Sequence, residues 1–222
     1  MVIKIENLLV KRKIFKLQID KLLVGQSQRV ALLGHNGSGK STLIAAMLNF
    51  EKRAAGEVKI FGHDPRGELK KVLPLLSYVP QNPDEGLFCS TVREDILFAP
   101  HNFSLPYTDS EILKKVLEKI PVVEALLDRP PHELSYGEKK VAVLATALAT
   151  NPKLLIMDEP FSMLDCRQKD NLEKIITLYE GTLVIASHEH DRVARLCKRF
   201  LVLQEGMVVF DGGMDDLSEA FF

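Results

Sequence analysis

The run Gly34-His35-Asn36-Gly37-Ser38-Gly39-Lys40-Ser41-Thr42 sets glycines, a lysine and hydroxyls in the spacing G-x-x-x-x-G-K-[ST]. The chemistry this spacing serves is phosphate binding. Glycines let backbone N–H groups curl around an anion with no Cβ in the way. The apolar run RVALL before the loop and KSTLIAAML after it predict a strand, a loop and a helix, in that order. The positive end of that helix then meets the same anion. Lys40 is expected to reach the β- and γ-phosphates of a nucleotide, and the Ser41 hydroxyl to bind Mg2+. Gly34, Asn36, Gly37, Ser38, Gly39 and Thr42 complete the loop. A chance glycine-rich turn is the plainer alternative, and the correct strand and helix on either side argue against it.

A second constellation lies at Leu154-Leu155-Ile156-Met157-Asp158-Glu159, where an apolar run ends in two carboxylates. Ligands of open α/β sheets sit at the carboxyl ends of strands. Asp158 is therefore expected to hold Mg2+, directly or through water, and Glu159 to polarise an attacking water, worth ~10²–10⁴-fold for a positioned base. A third is Leu134-Ser135-Tyr136-Gly137-Glu138. Ser135 with Glu138 three residues on reads as a capping box ahead of the helix VAVLATALA. A capped helix N-terminus carrying a hydroxyl and a glycine N–H is also a second anion site. One chain does not need two γ-phosphate sites, whereas two chains facing head to tail do.

The elements that must position these residues alternate along the 222-residue chain. Strands are expected at Val2 to Val10, Ile14 to Asp20, Gln28 to Leu33, Glu57 to Phe61, Leu76 to Pro80, Leu154 to Met157, Thr182 to Ala186, Phe200 to Leu203 and Met207 to Phe210. Helices are expected after Gly39, across TVREDILF with Thr91 as cap, across the amphipathic stretch Asp109 to Leu127, and from Tyr136, Cys166 and His190. That alternation implies a parallel sheet covered on both faces, in one α/β domain spanning 1–222 with a helical insertion at about 82–135. Composition agrees, with 46% hydrophobic and 27% charged residues. A formal net charge of −1 gives no push toward nucleic acid or anionic lipid. No apolar run approaches the ~20 residues of a membrane span, so any membrane part is expected on another chain. The N-terminal residues lack the pattern of a signal peptide, and scattered Cys89, Cys166 and Cys197 fit reduced thiols in the cytosol.

In these motifs the sequence resembles the ATP-binding-cassette ATPases over nearly its whole length. Gly34 to Thr42 match the Walker A motif, Leu134 to Glu138 the signature, and Leu154 to Asp158 the Walker B motif with Glu159 as catalytic glutamate. Gln81 matches the Q-loop glutamine, which senses Mg2+ and the γ-phosphate. Asp165 in Ser162-Met163-Leu164-Asp165 matches the D-loop aspartate, and His188 the switch histidine, with His190 the alternative two residues on. The resemblance implies a phosphate-loop NTPase (RecA-like) core, an N-terminal antiparallel β subdomain and a helical insertion. It also implies ATP and Mg2+ as ligands, and a second ATPase subunit, identical or homologous, whose Ser135 and Gly137 close the nucleotide site. Transmembrane partners at the cytoplasmic face of the membrane follow from the same likeness. The stretches YVPQNPDEGLFCSTVREDILFAP and LSYGEKKVAVLATALATNPKLLIMDEP resemble the energy-coupling-factor importers of vitamins, cobalt and nickel. In that group the segment Gln81 to Phe88 lies near the surface that meets the membrane partner.

The departures from the family pattern are specific. Tyr136 stands where the signature usually has glycine, Glu138 where glutamine is common, and Gly86 where many of the importers carry glutamine. Arg12 occupies the position of the ring that stacks on adenine. Its guanidinium can stack on a base, or Phe15 or Ile14 supplies apolar contact instead. With about ten residues after Asp211, no appended domain is expected, and the final Phe221-Phe222 pair is expected to pack locally or to meet a partner. Other classes remain to be separated from transport. A phosphate-loop kinase has no use for LSYGE or His188. A nucleotide-gated scaffold would not need Glu159. A soluble cassette ATPase of repair carries a long coiled coil, for which the interval Gln81 to Ser135 has no room.

Overall fold

The computed structural model of the chain describes residues 1–51 and 54–216; Phe221 and Phe222 lie outside the described residues. The elements run β1 (Ile3–Lys11), β2 (Lys16–Val24), β3 (Arg29–Leu33), α1 (Lys40–Met47), β4 (Ala54–Ile60), α2 (Pro65–Val72) and β5 (Leu76–Val79). They continue through α3 (Val92–Asn102), α4 (Asp109–Lys119), α5 (Tyr136–Ala149), β6 (Leu154–Asp158) and α6 (Cys166–Thr177). The last are β7 (Thr182–Ala186), α7 (His190–Leu196), β8 (Arg199–Gln204) and β9 (Met207–Gly212). They divide between two compact units, one of Met1–Leu73 with the segment from Gly181 onward, the other Pro74–Glu180.

In the first unit the strand order is β4-β1-β2-β9-β8-β3-β7. β1 pairs antiparallel with β2 and β4, while β3 is parallel to β7 and β8. β2 meets β9 in parallel at Gln18 and Met207, and β8 and β9 form an antiparallel hairpin. The N-terminal strands bury alternate residues, as a half-covered sheet does, whereas every residue of β7 is buried. A bulge interrupts β1 between Glu6 and Leu9, where Asn7 takes a positive φ of 52°. Gly56 stands against it, and a Cβ there would lie 2.2 Å from the Asn7 carbonyl oxygen.

In the second unit β5 and β6 run parallel in the register Leu76 to Leu154, and β6 is buried along its length. The helices α3 to α6 supply the rest. The long amphipathic stretch expected from Asp109 to Leu127 is broken: α4 stops at Lys119, and Pro121 starts a 3₁₀ segment, Pro121–Leu126. Proline removes a backbone donor and clashes with the preceding turn. The short α2 lies outside the helices expected from the sequence, its residues being mostly polar; Asp64 caps it by accepting from the Arg66 N–H, and Pro65 opens it. The architecture is α/β, with β3 parallel to β7 and β8 in the first unit and β5 parallel to β6 in the second.

Candidate functional site

The first unit holds the phosphate loop between β3 and α1. Gly34, Gly37 and Gly39 take φ of 141°, 81° and 113°, conformations that L side chains rarely adopt. Two neighbours brace the loop. A Cβ on Gly34 would lie 2.3 Å from the Leu203 carbonyl of β8. The Glu205-Gly206 turn joining β8 to β9 donates from the Gly206 N–H to the Ser38 carbonyl at 2.9 Å. Lys40 is buried at the start of α1, and its Nζ donates to the Gly34 carbonyl at 2.7 Å and the His35 carbonyl at 3.3 Å. Ser38 is buried too, and its Oγ has no hydrogen-bond partner among the described residues. An orphaned buried hydroxyl inside a loop of this conformation suits an anionic ligand. Asn36 and Ser41 are exposed, and Thr42 is buried.

His188 follows β7 and is exposed, on a cleft lined also by His190 and Arg192. The turn that presents it is fixed by buried Ser187, whose N–H donates to the Leu32 carbonyl and whose Oγ accepts from the Glu189 N–H at 3.1 Å. Arg12 is committed to another partner. Its Nε and Nη2 both donate to Glu51 Oε2, at 3.1 and 2.8 Å. Ile14 is fully exposed, while the Phe15 ring lies against Gly39, where a Cβ would be 3.0 Å from Cζ.

In the second unit, β6 delivers Asp158 and Glu159, which are 4% and 7% exposed. Glu159 has a φ of +44°. Its carbonyl accepts from the Ser162 N–H at 3.2 Å, from Ser162 Oγ at 2.9 Å and from Lys140 Nζ at 3.2 Å. The Gln81 side chain is exposed, and its carbonyl accepts from Lys140 Nζ at 2.6 Å and from the Tyr136 hydroxyl at 3.3 Å. Ser135 caps α5 as expected: its Oγ accepts from the Glu138 N–H, and Glu138 Oε2 accepts from the Ser135 N–H at 2.7 Å. Gly137 is buried beneath Gln168, whose Nε2 would lie 2.3 Å from a Cβ there. Asp165 forms the same kind of cap on α6, accepting from the Gln168 N–H at 2.8 Å.

Lys140 escaped the reading of the sequence. Burial lowers its pKa to about 8, while the Asp158 and Glu159 carboxylates oppose that shift. A clue was available: Tyr136, Lys139, Lys140 and Val143 fall on one face of α5 at helical spacing.

In the segment after Gln81, Leu87 is buried while Phe88 is 64% exposed. The Phe88 ring meets that of Phe98 edge to face, with centroids 4.7 Å apart. Beneath them Asp95, 1% exposed, accepts from the Phe88 and Cys89 N–H groups at 3.0 Å each. Thr91 caps α3 by accepting from the Glu94 N–H. Among the described residues no helix is long and apolar enough to cross a membrane.

Known proteins match this chain closely. The family described as ABC transporter matches residues 17–162. The energy-coupling factor transporter ATP-binding protein EcfA of Methanothermobacter thermautotrophicus is 38% identical over 197 residues, 85% of this chain and 63% of that protein. The EcfA of Carboxydothermus hydrogenoformans is 35% identical, over 86% of this chain and 72% of its own length. Among solved structures, cbiO1 of Clostridium perfringens, described as part of the ABC transporter complex cbiONQ, superposes with a TM-score of 0.84 at 27% identity, covering 98% of this chain and 90% of that one. The chain therefore belongs to the ABC transporter family, as an ATP-binding and ATP-hydrolysing subunit.

Proposed function

We propose that this subunit powers import of a small solute, a vitamin or a cobalt or nickel ion, through a separate transmembrane protein. The names of the EcfA and cbiO1 relatives support a role in a transporter complex, and the resemblance of the motifs to the energy-coupling-factor importers supports the direction. In this reading residues 1–222 form one cassette with its helical insertion at about 82–135, working at the cytoplasmic face of the membrane. Gly34, Asn36, Gly37, Ser38, Gly39, Lys40 and Thr42 hold the phosphates of ATP. Ser41, Gln81 and Asp158 offer hydroxyl, amide and carboxylate oxygens, a hard donor set that fits Mg2+. Bound there, Mg2+ would neutralise phosphate charge. Glu159 polarises the attacking water, and His188, rather than His190, contacts the γ-phosphate. Ser135, Gly137 and Asp165 of a second copy or a homologue complete the nucleotide site. Arg12 would have to release Glu51 to stack on adenine, so Phe15 is the apolar contact that is free to serve the base. Phe88 and Phe98 form the apolar knob offered to the membrane partner.

The observation that carries the catalytic part is Glu159, held at the end of a buried strand by a carbonyl that takes bonds from Ser162 and Lys140. Its test is Glu159→Gln. Mg·ATP binding should survive, turnover should fall by at least ~10²-fold, and ATP should then hold two chains together on a sizing column. Turnover within a few-fold of wild type removes Glu159 from the role.

A further inference from the structure

Lys140 is 1% exposed, an unusual position for a lysine, and the chemistry above gives it no contact with ATP, Mg2+ or water. Burying an ammonium is costly unless acceptors take its protons. The acceptors here are main-chain carbonyls of two segments distant in sequence, Gln81 at 2.6 Å and Glu159 at 3.2 Å. These are the very residues to which hydrolysis assigns γ-phosphate sensing and the base.

The rest of the α5 face points the same way. The Tyr136 hydroxyl donates to the same Gln81 carbonyl at 3.3 Å. Lys139 Nζ pairs with Asp84 Oδ1 at 2.7 Å. The Val143 methyls lie 3.0 and 3.2 Å from where a Cβ on Gly86 would stand. Residues 81 to 86 are thus gripped by one stripe of the helix at i, i+3, i+4 and i+7. Two departures from the family pattern, Tyr136 and Gly86, find their reason in this one contact.

At its other bond Lys140 meets a strained backbone. A φ of +44° is unfavourable for glutamate and persists only where its surroundings over-determine it. The Glu159 carbonyl takes bonds from Ser162 N–H, Ser162 Oγ and Lys140 Nζ. The direction of that peptide sets where the carboxylate stands.

We propose that Lys140 is a positioning residue for ATP hydrolysis, fixing the main chain at Gln81 and Glu159 through one ammonium, with Tyr136 sharing the Gln81 carbonyl. The helix that begins at the signature serine then holds the sensor and the base in a common register, so a shift of α5 reaches both. This rests on the reading of Glu159 as the base.

The experiment uses the full chain and four variants, Lys140→Met, Tyr136→Phe, their double and Glu159→Gln. It follows kcat and KM for ATP together with the thermal midpoint. Lys140→Met should lower kcat about tenfold or more with KM within about threefold, as misplacement of a reacting group does. Tyr136→Phe should lower kcat roughly two- to fivefold. The loss in the double variant should depart from the product of the single losses, because both residues bond one carbonyl. A kcat per folded molecule within twofold of wild type in Lys140→Met overturns the proposal, as does a raised KM at unchanged kcat. If Lys140→Met does not fold, Tyr136→Phe decides, and an unchanged kcat there overturns it. Turnover retained by Glu159→Gln sinks the reading of the base; turnover lost there but kept in Lys140→Met sinks only this inference.

Discussion

Two loop-to-helix junctions in this chain solve one problem differently. At the first, glycine backbone conformations shape residues 34 to 39, no side chain caps α1, and buried Lys40 bonds the carbonyls of Gly34 and His35, six and five residues away. At the second, side chains do the capping, Ser135 with Glu138, and buried Lys140 bonds carbonyls 19 and 59 residues away. At the first junction the lysine bonds stay within its own loop, which the β8–β9 turn braces from outside. The second is a joint, in which a helix start is tied to distant segments. A local object can hold a ligand of fixed shape. A joint can pass the state of one segment to another.

This contrast makes its largest claim at the two lysines. Lys40→Ala should weaken ATP binding about 10- to 100-fold, the worth of a lost charged hydrogen bond, read by titration with a fluorescent ATP analogue. Its effect should fall on affinity, while that of Lys140→Met falls on turnover. If both variants lose affinity alike and keep kcat, the two junctions do the same work and the comparison fails.

The next largest effect is on stability. Gly39→Ala forces a Cβ into a φ of 113° and toward the Phe15 ring, and should cost about 2 kcal/mol. Ser135→Ala removes only a cap and should cost about 1 kcal/mol. Urea unfolding midpoints measure both. A cost for Ser135→Ala above that for Gly39→Ala would mean that side-chain capping, and not glycine geometry, is the tighter constraint.

What could be read in advance follows the same division. Gly34 to Thr42, the apolar β6 ending at Asp158 and the Ser135 cap are local patterns, and the structure carries the loop, strand and cap where the spacing put them. Thr182–Ala186 even matched residue for residue, because a strand of four apolar residues behind one threonine leaves little choice. The face of α5 that carries Lys140 is legible in the helical spacing, but its partners are known only once β5, β6 and α5 are packed. The break at Pro121 is marked in the sequence by the proline alone, since the apolar period continues through it. Arg12 shows a third case: its pairing with Glu51 spans 39 residues and leaves no local trace.

The smallest effect expected, and the sharpest test of what the second region is for, comes from Phe88→Ser. Phe88 and Leu87 are adjacent and similar in chemistry, yet Leu87 is buried while Phe88 is 64% exposed. The difference arises because Asp95 bonds the N–H groups of Phe88 and Cys89, turning the chain so that one side chain enters and the next leaves. An exposed ring whose aromatic contact is another half-exposed ring, Phe98, has little burial to lose. Phe88→Ser should therefore change stability by less than about 1 kcal/mol, against the ~3 kcal/mol or more of a truncated buried phenylalanine. The same change should abolish co-purification with a membrane partner, since aromatic anchors that become buried carry much of an interface's binding energy. A large fall in the urea midpoint would place Phe88 in the fold, and retained co-purification would remove it from the docking surface. Either result would leave the joint between α5 and residues 81 to 86 without the outward contact that gives it something to report to.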